Sequence, residues 1–313
     1  KSNLMNIKYI LLLVLVFPML SSCHEEDKLT PASTEMDLRF EFPEGDNPWD
    51  QDILEIVDKF STYLIYKNLT KEDFNHTWQS VMGSYGGEPL NDEQAAFYTS
   101  FIKNHVFEFL KPELVKRVLP TYIYLAYNMS STSIFGVSPL ELKFDGMDFW
   151  GICLEAEKLG PLGNPVLRPA TAWEFQVRRG IILKNVIEKI VTKGNIVVPS
   201  WFTDDFDYMT ALDNSNSSLD NHYLKRGFPG QLSGTFSYET FGTLSRIYNT
   251  SPQRNLIDYI HLAIRYTRDE VVTNYPPDNF PKIIKYYDLT VEYLKENYDW
   301  DVTRIAELPV IDE

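Results

Sequence analysis

The chain has 313 residues, 44 Asp and Glu against 29 Lys and Arg, a formal net charge of −15, and 19 Tyr, 19 Phe and 6 Trp. So acidic a chain is repelled by nucleic acid and by anionic lipid, and no Lys/Arg cluster offsets this, which excludes nucleic-acid binding. Two cysteines cannot build a disulfide framework, so stability has to come from an apolar core, and the length is enough for one large domain.

Residues 1–22 carry Lys1 and Lys8, then an uncharged run from Tyr9 to Ser22 containing ILLLVLVFPML. That apolar stretch is about half the ~20 residues a membrane-spanning helix needs, so it reads as an export signal. Leu20, Ser21, Ser22 and Cys23 resemble a bacterial lipobox. The resemblance implies that Cys23 becomes the lipidated first residue and holds the protein to a membrane. A plain secretory signal followed by an incidental cysteine is the alternative. Residues 23–36 are acidic and then Pro/Ser/Thr-rich, a flexible tether. Acids directly after the cysteine resemble the surface-export signal of lipoproteins in some Gram-negative groups, which implies a place outside the outer membrane.

From residue 37 to 313 the pattern predicts a single domain. Pro48 and early acids start a helix whose apolar residues Ile53, Ile56, Val57, Phe60 and Leu64 recur at the helical period, running into a strand near 62–67. Asn91 and Gln94 form a capping box for a second helix, with Ala96, Phe97, Phe101, Ile102 and Val106 as its buried face. A short helix follows in KPELVKRVLP. Residues 121–129 (TYIYLAYNM) read as a strand, and 145–155 as another after the Asp145-Gly146 turn. Residues 171–193 form a long helix stopped by Gly194, with Gly180 as its weak spot. Ser200 opens a short helix, and a polar loop of some 25 residues follows, a length usually functional or mobile. Two helices, near 251–271 and 281–301, close the chain. The fold class is α+β, predominantly helical, with a small sheet and a long central helix.

Spacing alone supplies no catalytic constellation. The five histidines (His24, His76, His105, His222, His261) include no pair three or four apart, as a helical zinc site requires. There is no G-x-S-x-G around Ser233, no phosphate loop, and no EF-hand pattern in the acidic runs at 204–207 or 213–220. Carboxylates such as Asp204, Asp205 and Asp207 read as a solvated acidic face.

The order of several pieces carries more than any one of them. A strand (TYIYLAY) precedes the long helix, then come VPSWFTDDFDYM, a loop ending RGFPGQLSGTFSYETFGTLSRIY, and the helix IIKYYDLTVEYLKENYDWDV. In this order, over most of residues 37–305, the chain resembles the zinc-binding metallopeptidase-like lipoproteins associated with starch-utilisation-type outer-membrane uptake systems. The resemblance implies a zincin-like domain with His-Glu-x-x-His on the central helix and a downstream acidic segment. The helix motif falls on Lys184, Asn185, Val186, Ile187 and Glu188, in an apolar frame of Ile182-Leu183 and Ile190-Val191. A protonated lysine cannot ligate zinc, an asparagine cannot take a proton from water, and the glutamate would ligate alone. Lys184 and Glu188, one turn apart, are expected to pair. Downstream, Glu239 remains, while Thr240 and Thr243 stand where acids are expected.

These substitutions imply a catalytically degenerate metallopeptidase homologue, without catalytic residues, metal or cofactor. The expected role is an accessory or ligand-binding component of a glycan or peptide uptake system, its partners the membrane through the lipid, transporter components, and a glycan or peptide. Trp201, Phe206, Tyr208, His222, Tyr223 and Phe228, beside the long loop, are candidate ligand-binding residues, at least half of the aromatics more readily read as core. An active zinc metallohydrolase built on Glu188, Glu239 and His222 is the alternative.

Overall fold

The computed structural model describes residues 39–76, 84–159, 163–232, 238 and 250–311. Its contacts divide the chain into Lys1–Glu41 and Phe42–Glu313, and the second unit is the one analysed below. The export signal, the tether and Cys23 lie outside the described residues, as do Glu239, Thr240 and Thr243. Among the described residues, no helix is long and apolar enough to cross a membrane.

Helix α1 (Pro48–Phe60) begins where the Asp50 carboxylate accepts the Asn47 backbone N–H at 2.8 Å, and it stops at Ser61, whose φ of 54° is left-handed. Strand β1 (Tyr63–Ile65) follows directly, as the β-rich TYLIY stretch predicts. After β2 (Ser84–Glu88), helix α2 (Asp92–His105) has the expected reciprocal cap: Asn91 Oδ1 accepts from Gln94 N at 2.9 Å, and Gln94 Oε1 from Asn91 N at 3.1 Å. Its buried face is turned from the predicted one. Ala95 and Tyr98 are buried with Phe101 and Ile102, while Ala96 and Phe97 are half-buried. The reason is polar. The buried Tyr98 hydroxyl donates to the Ala126 carbonyl and accepts from the Leu154 and Glu155 N–H groups, which satisfies three backbone groups where the strands end.

Helix α3 (Pro112–Val115) leads to β3 (Tyr122–Leu125), β4 (Tyr127–Ser133), β5 (Gly136–Pro139), β6 (Leu142–Lys143) and β7 (Phe149–Ile152). The single strand expected over 121–129 is therefore two strands, divided at Ala126, and they serve different sheets. One sheet has the order β1-β3-β7-β6, with β1, β3 and β7 parallel; the other is an antiparallel β2-β4-β5. All four residues of β3 and of β7 are buried, the continuous burial that a parallel sheet covered on both faces imposes.

Helix α4 (Ala172–Thr192) follows, capped by Thr171 and Glu174, and Gly194 at φ 81° lies just beyond its end. Then come the short α5 (Trp201–Asp204), the long loop, α6 (Pro252–Arg265), α7 (Arg268–Asn274) and α8 (Pro281–Tyr298). The helix expected over 251–271 is broken at Tyr266, because Thr267 and Glu270 cap each other and start α7 afresh. The result is a mixed α/β fold with small sheets. On one side of α4, Ile182 and Val186 meet Ile123, Trp150 and Ile152 of the parallel sheet and Ile102 of α2 around a void of about 10 Å³. On another side α4 packs on α6.

Candidate functional site

Helix α4 keeps its apolar frame in the core: Leu183, Ile187, Ile190 and Val191 are fully buried. Gly180, expected to be a weak point, is instead a packing site. A Cβ added there would lie 2.1 Å from the ring of Tyr238, whose buried hydroxyl donates to Ile264 O at 2.5 Å.

The polar residues of the helix meet α6. Lys184 is 1% exposed, and its ammonium donates to the Leu232 carbonyl at 3.2 Å. Asn185 donates its side-chain amide back to Ile181 O at 2.8 Å, one turn earlier on its own helix. Glu188 does not pair with Lys184 as expected. Its Oε1 lies 3.1 Å from Arg254 Nη1 instead, and Arg254 reaches Asp258, four residues on along α6, at 2.8 Å. A fixed, forked guanidinium can bridge two carboxylates at once, which a lysine ammonium on the same helix as Glu188 does less well. Gln231 lies 3.5 Å from the second Asp258 oxygen. One turn beyond, the buried His261 places Nε2 3.3 Å from the Lys184 backbone carbonyl.

The electrostatics follow from burial. Desolvation pushes Lys184 down to about 8; the Glu188 charge opposes this and the Arg254 charge adds to it. Desolvation raises Asp258 to about 7 against the pull of Arg254. His261 is held well below the usual histidine value by burial and by the charges of Arg254 and Lys184, so its imidazole is neutral. Two carboxylates and two cations alternate across this interface. A dication placed between Glu188 and Asp258 would meet Arg254 first. Among the described residues, no group of three or more His, Cys, Asp or Glu could hold a metal ion. Arg254 and Asp258 carry no motif in the sequence, where His261 stands only as one of five unpaired histidines. Their spacing, i, i+4 and i+7 on an amphipathic helix, was the available signal.

The residues named as a ligand platform do not form one exposed surface. Phe206, Tyr223 and Phe228 are buried, and Tyr208 is half-buried with its hydroxyl donating to Phe202 O at 2.6 Å. Phe206, Tyr208 and Phe228 are brought together, with ring centroids 5.3 to 6.0 Å apart, in a cluster that includes Phe202 and Tyr286. Trp201 lies at the edge of this cluster, 6.4 Å from Phe202 and edge-on to Tyr293 at 5.4 Å. His222 is buried, its ring tilted against Tyr223 at 4.6 Å, with Nδ1 unpartnered among the described residues. The physical reason is that this loop, though polar in composition, folds its aromatic residues onto α6 and α8. Asp207 likewise serves local structure: it accepts the Met209 and Thr210 N–H groups and is held at about 2. Asp213 Oδ1 accepts from Ser215 and Asn216 in the same manner. The buried Cys153 thiol is pushed up to about 11 and donates to Glu155 O, which makes it unreactive.

No family model matches the chain, and no curated protein matches it. Among solved structures it is similar to a candidate zinc-binding metallo-peptidase from Bacteroides caccae, at 11% identity and a TM-score of 0.46, over 83% of this chain and 89% of that one. A likeness this distant transfers no activity.

Proposed function

We propose that this chain is a non-hydrolytic surface lipoprotein on a zincin-like scaffold, anchored through Cys23, and an accessory or ligand-binding component of a glycan or peptide uptake system. The observation that carries the reading is the clasp of Arg254 on Glu188 and Asp258, with Lys184 buried beside it. Metal-dependent hydrolysis needs neutral or anionic ligands around an open coordination position, and a base to take a proton from water. On this face of α4 the position available for the first ligand holds an ammonium. The position for the base holds an amide whose NH₂ is donated to its own helix. The remaining carboxylate is engaged by a guanidinium. The acidic surface and the lipobox-like segment support a tethered, extracellular role.

The test is metal analysis of the full chain purified from membranes, together with a peptide-hydrolysis assay. The expected result is no stoichiometric zinc and background hydrolysis. One zinc per chain, lost together with activity in Glu188→Ala, overturns the reading. The anchor is tested separately: Cys23→Ser should move the protein from the membrane fraction to the soluble fraction.

A further inference from the structure

A second cavity lies away from the Arg254 clasp, where the start of α4 faces the second half of α2. It is a cleft of about 760 Å³, within the roughly 300–1,000 Å³ range of small-molecule sites. Residues 307–311 form one of its walls. The facing walls are aromatic: Phe97 and His105, both half-buried, lie edge-on to the more deeply buried Phe175 ring, with centroids 6.1 and 5.0 Å away.

Set among these rings is Arg179, only 2% exposed. Its guanidinium lies 4.8 Å from the Phe109 ring centroid. Nη2 donates to the backbone carbonyls of Ile305 at 2.7 Å and Glu307 at 2.5 Å, while Nε has no partner. Among the described residues no carboxylate stands within ion-pair distance of this guanidinium. That differs from Arg254, which holds two. A buried cation bonded only to neutral carbonyls, with one donor unsatisfied, is an expensive arrangement for structure alone. Holding residues 305 and 307 explains Nη2 but leaves the guanidinium without an ion-pair partner among the described residues. Of the other titratable groups on the cleft, Glu307 is the one whose charge acts on Arg179, and it does so from beyond ion-pair distance. Glu108 is exposed and lies 3.8 Å from Arg304, and the Glu307 side chain is exposed. His105, lowered to about 4 by burial and by the Arg179 charge, is neutral and able to donate a hydrogen bond.

We propose that this cleft binds a small carboxylate-bearing ligand with a flat apolar group, its carboxylate directed to Arg179 and its flat group against the partly exposed Phe97 and His105 rings. The inference is independent of the metallopeptidase-like reading, because it uses a different face of α4 and no residue of the Arg254 clasp.

The test is calorimetric titration of the full chain with N-acetyl-phenylalanine and, in parallel, with N-acetyl-phenylalanine amide, which keeps the ring and loses the charge. The acid is expected to bind with a Kd of about 1 mM or tighter, and the amide about tenfold more weakly. Ser100→Trp, an exposed substitution on the cleft rim, fills the space without touching Arg179. It is expected to abolish binding of the acid while leaving the melting temperature unchanged. Equal binding of acid and amide overturns the proposal, as does no binding by either. Binding of the acid that survives Ser100→Trp also overturns it, since the ligand would then sit elsewhere.

Discussion

Two faces of the same helix handle buried charge in opposite ways. Toward α6, Lys184, Glu188, Arg254 and Asp258 alternate in sign, and Arg254 is shared between both carboxylates. Toward α2, Arg179 is buried with no carboxylate in ion-pair distance among the described residues, and it borders an open cleft. Paired charges in a packed interface hold a fold together. A cation without an ion-pair partner among the described residues, beside a cavity of ligand size, is the feature the proposed carboxylate ligand would complement. The residue that stands out from the sequence is therefore a poor guide to where a ligand sits: Lys184 and Glu188 attract notice because of a motif they lack, while Arg179 looks like one more polar residue on an amphipathic helix.

The largest effect that could break this contrast is on the α6 side. Arg254→Ala leaves Glu188 and the buried Asp258 without their cation, and about 3 kcal/mol of stability should be lost in urea unfolding. A loss near that of an exposed ion pair, under about 0.5 kcal/mol, would mean that the clasp does not hold the helices together. Next comes Gly180→Ala. The new methyl meets the Tyr238 ring in a closed interface, and a cost of about 1–3 kcal/mol is expected. Combining it with Tyr238→Ala should give less than the sum of the two single effects, because the second change removes the obstacle.

The pH dependence sharpens the same comparison. The folded pKa of Asp258 is raised from its ordinary 3.8 to about 7, so its contribution is fully present below the unfolded value and is lost as pH rises through 7. Asp258→Asn, which mimics the protonated form, should therefore gain on the wild type between pH 4 and 7 in thermal melts, and a constant difference would contradict the assignment. Lys184 has the opposite sign. Its folded pKa is depressed from 10.5 to about 8, so its contribution is present above 10.5 and lost as pH falls through 8, a trend that Lys184→Met should flatten. The smallest effect belongs to the open face, where Ser100→Trp should change stability by less than about 0.5 kcal/mol.

Much of the chain was legible because the signals were local. The Asn91–Gln94 cap, the Gly194 stop and the strand in TYLIY all act over a few residues. The break at Tyr266 was legible too, in the capping box of Thr267 and Glu270, but the helical periodicity on either side obscured it. The Ala126 division was not legible, because it is set by partners far away in the chain: β3 pairs with β1 and β7, and β4 with β2 and β5. Between them the Tyr98 hydroxyl, 28 residues earlier, donates to the Ala126 carbonyl. In the 201–228 region at least half of the aromatic residues were expected in the core, and Phe206, Tyr223 and Phe228 are buried; which helices they pack on was not legible.

By itself the sequence determined an acidic, aromatic-rich chain whose long central helix has an apolar frame, together with the caps that begin and end most elements, because those depend on neighbours within one or two turns. Only the tertiary structure decided which charges are compensated. Glu188 and Arg254 are 66 residues apart, and Arg179 meets the carbonyl of Ile305 across 126. Pairing at such separations is set by how helices pack, and composition and spacing carry no information about it.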